Sequence, residues 1–136
     1  MIKTITVKTS HDRESLYRIL SDPQFVLPRL FPPIKNVQES GESFDADGRF
    51  LAMKFNMHGN ALRGSEIVYV FYLSAGGGKG QGRLTMQLME GEINLRFQYE
   101  GWMQRVSGTF FMDKWFSNFA DQLDESVRME RIKRKI

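Results

Sequence analysis

Polar and apolar residues alternate along Ile2 to Thr9, with Ile5 and Val7 on one face and Thr4, Thr6 and Lys8 on the other. That period predicts a strand with one buried side. The period then lengthens. Leu16, Ile19 and Leu20 recur at helical spacing beside Tyr17, behind Ser10 as an N-cap, with Asp12 and Glu14 in the first turn. Asp22-Pro23 opens a second short helix carrying Phe25, Val26 and Leu27, because Asp caps well and Pro suits the first helical position. Pro28 and then Pro32-Pro33 keep it short.

From Ile34 to about residue 102 the period is that of strands. Ile34–Glu39 and Ser43–Ala46 are strands, separated by the turn Ser40-Gly41-Glu42. Asp47-Gly48 and Gly59-Asn60 read as further turns. Between them Leu51, Met53, Phe55 and Met57 share a face. Glu66–Ala75 is strongly β-prone, but its pattern leaves open which face points inward; Tyr69 and Phe71 lie on the odd-numbered one. Leu84, Met86 and Leu88 alternate with Arg83, Thr85 and Gln87. After the turn at Glu90-Gly91-Glu92, Ile93, Leu95, Phe97 and Tyr99 alternate with Asn94, Arg96, Gln98 and Glu100. Connections this short exclude crossover helices, so the strands form an antiparallel meander.

From about Gly108 the spacing becomes helical again. Met112, Trp115, Phe116, Phe119, Leu123 and Val127 form a wide apolar stripe opposite a charged face. A stripe that wide needs a large apolar partner, and the concave side of the sheet is the surface available. The expected fold is α+β, a helix-grip arrangement. It has a curved antiparallel sheet of about seven strands, two short helices after the first strand, and a long C-terminal helix over the concave face. At 136 residues the chain fits a single domain spanning 1–136.

Composition narrows the chemistry. The absence of cysteine excludes disulfides, thiol nucleophiles and thiolate metal sites. No apolar run is long enough to span a membrane, and the N-terminus lacks a signal-peptide pattern, so a cytoplasmic protein is expected. The net charge of +3 is misleading, because Arg128–Lys135 (RMERIKRK) carries +4 and the rest of the chain −1. A basic body of the kind that binds nucleic acid is not present, and no nucleic-acid partner is expected. The basic tail reads as a solvated helix end complementing the helix dipole, or as a weak contact with an anionic membrane surface. Either way, its charges are expected to be dispensable for folding.

Motifs for chemistry are few. The glycine run Ala75–Gly82 (AGGGKGQG) lacks the Ser or Thr that a phosphate loop needs after Lys79, and reads as a flexible hairpin loop at a cavity mouth. His11 and His58 are far apart, fit no metal-ligand pair and read as surface residues. Asp45-Ala46-Asp47-Gly48 is too incomplete for a calcium loop. No metal site, cofactor or catalytic residue is assigned. Glu66, Glu100 and Asp113 are the carboxylates that could approach a cavity, and Tyr99 and Trp102 bring polar atoms that could orient a ligand.

The segment SLYRILSDPQFVLPRLFPPIKNV (Ser15–Val37), together with the order of elements along the whole chain, resembles the START-like, birch-pollen-allergen-like superfamily. The nearest group is an uncharacterised family of thermoacidophilic archaea. The resemblance implies an internal cavity for a hydrophobic small molecule, lipid-like or polycyclic. The alternative it allows is a cyclase- or dehydratase-type enzyme acting on an apolar substrate in the same cavity. Eleven Phe and eight Met suit an adaptable apolar pocket. The expected lining is Met53, Phe55, Met57, Tyr69, Phe71, Met86, Leu88, Phe97 and Tyr99 from the strands, with Phe116, Phe119 and Leu123 from the helix. A ligand site there should measure at least ~300 Å³.

Overall fold

A computed structural model describes residues 1–101 and 110–136. Its elements run β1 (Ile2–Lys8), α1 (Arg13–Leu20), α2 (Pro23–Leu30), β2 (Ile34–Ser40), β3 (Ser43–Phe50), β4 (Met53–Arg63), β5 (Ile67–Ala75), β6 (Gly78–Met89), β7 (Glu92–Gly101) and α3 (Phe110–Arg134). The strands form a seven-stranded sheet in the order β1-β7-β6-β5-β4-β3-β2, antiparallel throughout. This is the helix-grip fold expected from the periodicities.

Asp12, not Ser10, caps α1; its carboxylate accepts from the Ser15 N–H at 2.9 Å. Asp22 caps α2 as expected, accepting from the Gln24 N–H at 3.0 Å. Pro28 lies inside α2, which ends at Leu30. The sheet buries its odd-numbered β5 and β7 residues and the even-numbered half of β6 against the helices, which settles the open face of β5. Tyr69 is fully buried, and its hydroxyl donates to the Leu20 carbonyl at 2.7 Å. Burial pushes that phenol's pKa well up.

Three glycine readings are corrected. Asp47-Gly48 is no turn but part of β3, and Gly59 lies in the middle of β4. Both glycines mark close approach. A Cβ on Gly48 would sit 2.1 Å from the Pro33 carbonyl oxygen, and one on Gly59 would sit 1.9 Å from that of Val70. The glycine run is no floppy loop either. Only Gly76-Gly77 turn; Gly78–Gly82 are paired in β6, and the Phe71 ring lies over Gly82, 2.4 Å from where a Cβ would be. The true β3–β4 turn is Leu51-Ala52, with φ of 52° and 64°.

Candidate functional site

The interior between sheet and α3 is built from aromatic rings. Phe31, at the end of α2, sits edge-on to Phe71 at 5.2 Å and to Trp115 at 6.3 Å. Phe71 stacks with Phe97 and Tyr99, and Phe97 stacks with Phe116 of α3 at 5.1 Å. Phe50, the last residue of β3, meets Phe111 at 4.8 Å and Trp115 at 5.2 Å. The stripe on α3 thus meets the inner strand face ring against ring, geometries that add to simple area burial.

Of the twelve residues expected to line a cavity, eleven are buried in this core: Phe55, Met57, Tyr69, Phe71, Met86, Leu88, Phe97, Tyr99, Phe116, Phe119 and Leu123. Met53 is not among them; it is 42% exposed. It has the inward parity but pairs with Phe50 at the extreme end of the β3–β4 hairpin, beyond the cover of the helices. The buried side chains pack against one another. One small space among them, of about 10 Å³, is bounded by Phe31, Pro33, Phe50, Phe55, Met57, Leu73, Met112 and Trp115. The rings of Phe31, Phe50 and Trp115 crowd this space. Phe31 and Phe50 escaped the sequence reading: the first follows a short helix into two prolines, and the second was hidden behind the false turn at Gly48.

The polar candidates lie elsewhere. Glu100 faces the outer side of the sheet and accepts from Gln81 Nε2 at 2.6 Å. Asp113 is bound by Lys3, which also donates to Ser117 Oγ at 2.8 Å. Glu66 is exposed beside the β4–β5 turn. Tyr99 does face inward, and burial pushes its hydroxyl pKa up, away from acid–base work near neutrality. Trp102 lies outside the described residues. No group of three or more His, Asp or Glu that could hold a metal occurs among the described residues. No helix there is long and apolar enough to cross a membrane.

His11 departs from the surface reading, while His58 is exposed as expected. The His11 side chain is only 10% exposed. Its Nδ1 lies 3.1 Å from an Arg131 nitrogen, and its Nε2 lies 3.2 Å from the Asp124 carbonyl. Arginine can only donate, so Nδ1 is the accepting, unprotonated nitrogen. His58 lies on the outer face of β4, stacked on Tyr72 at 5.4 Å, away from any turn.

A protein-family model matches the chain over residues 1–136. The chain belongs to the START-like, helix-grip superfamily. Solved structures resemble it along nearly its whole length. It is 28% identical to a hypothetical protein from Sulfolobus tokodaii, covering 98% of this chain and 99% of that one at a TM-score of 0.75. A conserved protein from Geobacillus kaustophilus matches at 14% identity, 94% of each chain and a TM-score of 0.69. Ara h 8.0201, of the birch-pollen-allergen-like group, matches at 8% identity, 98% of each chain and a TM-score of 0.61. The last two show likeness of fold alone. No curated protein matches the chain.

Proposed function

We propose that this START-like protein binds a hydrophobic small molecule, lipid-like or polycyclic, between the sheet and α3. The observation that carries the reading is the lining of the void: Phe31, Phe50, Trp115, Met57 and Met112 meet there with no ionisable side chain among them. Such a wall recognises shape and apolar surface, and it offers a polar substrate little to bond. The space between these rings is far smaller than a ligand of ~300 Å³. Binding therefore requires the rings of Phe50 and Trp115 to swing aside, with methionine side chains adapting around the guest.

The test is native mass spectrometry of protein purified without detergent, followed by titration with pyrene. The expected result is a co-purified apolar adduct or a saturable one-to-one pyrene complex. Trp115→Ala should change the pyrene affinity at least tenfold, whereas the outer-face change Gln87→Ala should leave it alone. Absence of both an adduct and saturable pyrene binding would overturn the proposal.

A further inference from the structure

The β3–β4 hairpin ends in an arrangement that folding alone does not favour. Its two-residue turn puts Leu51 and Ala52 in the left-handed region, at φ of 52° and 64°. Turns of this shape strongly prefer Asn-Gly, and an L-residue with a full side chain is strained there. What the chain places at the strained tip is apolar and exposed: Leu51 is 68% accessible and Met53 42%. Directly below the tip, Arg49 and Lys54 are cross-strand partners. Like charges facing each other across a strand pair are destabilising. Among the described residues neither of the two makes a side-chain hydrogen bond or an ion pair.

The surroundings strengthen the pattern. The Met53 sulfur lies 3.8 Å from where a Cβ on Gly76 would be, so the β3–β4 and β5–β6 tips are neighbours. Lys79 stands just inside the second tip. From Gly48 to Met89 the sequence has one acidic residue, Glu66, which lies at the opposite end of the sheet beside the β4–β5 turn. This end of the sheet thus combines an apolar prow with Arg49, Lys54 and Lys79, while the nearest carboxylates on the same outer face bond amides instead, Asp47 accepting from Asn36 at 3.1 Å and Glu100 from Gln81 at 2.6 Å.

We infer that the β3–β4 tip docks on an anionic membrane surface, with Leu51 and Met53 entering the acyl boundary and Arg49, Lys54 and Lys79 meeting the head groups. Strongly hydrated acidic peptides would satisfy the cations but not Leu51; a purely apolar partner would leave Arg49 and Lys54 facing each other unscreened. An anionic bilayer satisfies both at once. The tip also adjoins the Phe50–Phe111–Trp115 rings that close the interior void. Docking there would set the proposed ligand site against the phase in which hydrophobic ligands dissolve.

The experiment is flotation with vesicles of phosphatidylcholine alone or mixed with phosphatidylglycerol, at low and high salt. The wild type should float with the mixed vesicles only, and less as salt rises. Arg49→Gln and Lys54→Gln should each lower partitioning about fivefold, from about 1 kcal/mol per cation near the surface. Leu51→Asp should abolish it. Circular dichroism and melting of each variant exclude misfolding, and pyrene titration in solution reports on the ligand reading separately. Equal flotation of wild type and the Arg49→Gln/Lys54→Gln double variant would overturn the inference. So would wild type that ignores anionic vesicles. A concentration-dependent dimer that Leu51→Asp dissolves, without flotation, would overturn it in favour of self-association.

Discussion

Two regions of this molecule concentrate positive charge, and they are used in opposite ways. The end of α3 and the residue after it, Arg128–Lys135, hold five of the chain's basic residues and dominate its charge pattern. Folding occupies most of them. Arg131 lies 3.4 Å from Asp12, the cap of α1, and Arg134 lies 2.5 Å from Asp22, the cap of α2. Arg134 also bonds Glu130 at 2.7 Å, and Arg128 bonds Glu125 at 2.6 Å. The expectation of a freely solvated tail is thereby corrected: two arginines fasten the long helix to the N-termini of both short ones. The β3–β4 tip has fewer cations and little prominence in the sequence, yet among the described residues Arg49 and Lys54 form no ion pair. Counting charges along a chain measures supply. Whether a charge is free for a partner depends on which acids the fold delivers to it.

The comparison breaks most sharply at Arg134. Its side chain and those of Asp22 and Glu130 are mostly covered, with Glu130 only 10% exposed. Arg134→Ala should therefore cost about 2 kcal/mol in urea unfolding, since it removes charge-assisted bonds to a mostly buried carboxylate and a capping one, leaving Glu130 with Arg29 at 3.8 Å. Arg49→Gln should cost nothing or stabilise slightly. Equal losses at the two sites would mean that the clasp is no more structural than the tip.

Acid should separate the same two regions. The hydrogen bond from Arg134 holds the Glu130 carboxyl below its ordinary value of 4.5, with the charge of nearby cations adding to the effect. A lowered native pKa contributes stability that is present above the unfolded value and is lost as pH falls through the native one. Melting temperature should accordingly drop below about pH 4.5, and Glu130→Gln should flatten that limb. The hairpin tip has no carboxylate, so amide exchange in Leu51–Met53 should show no matching acid step beyond the intrinsic pH trend.

A third change sharpens the contrast from the side of the tip. The pair Leu51→Asn and Ala52→Gly supplies the residues such a turn prefers and should raise stability by up to about 1 kcal/mol. The same pair should weaken vesicle flotation, because the apolar prow is gone. A gain in both stability and flotation would separate the strain from any docking role. The smallest effect belongs to Lys133 and Lys135, the tail cations without ion-pair partners among the described residues. Replacing both with Gln should stay within ~0.5 kcal/mol in denaturation and leave flotation unchanged.

Much of this protein was legible before folding because the relevant signals are local. Alternation in Ile93–Tyr99 and the three-and-four spacing from Met112 to Val127 depend only on which side of an element meets the core. Asp22-Pro23 depends only on how a helix begins. Element order and short connections then leave few topologies other than a meander gripping a helix.

The remaining features involve residues far apart in the chain, where local pattern carries no information. Gly48 and Gly59 look like turns because glycine serves two ends, sharp bends and close approach. Only the positions of the Pro33 and Val70 carbonyls decide between them. Met53 has the right parity and the wrong height on its strand. His11 became a buried link because α3 returns across its ring. Interior volume depends on how rings from α2, β3 and α3 meet, which no single stretch of sequence records; Phe31, Phe50 and Trp115 meet closely. Periodicity along one element determines which residues face inward; the space between elements, and the charges left without partners, are properties of several elements packed together.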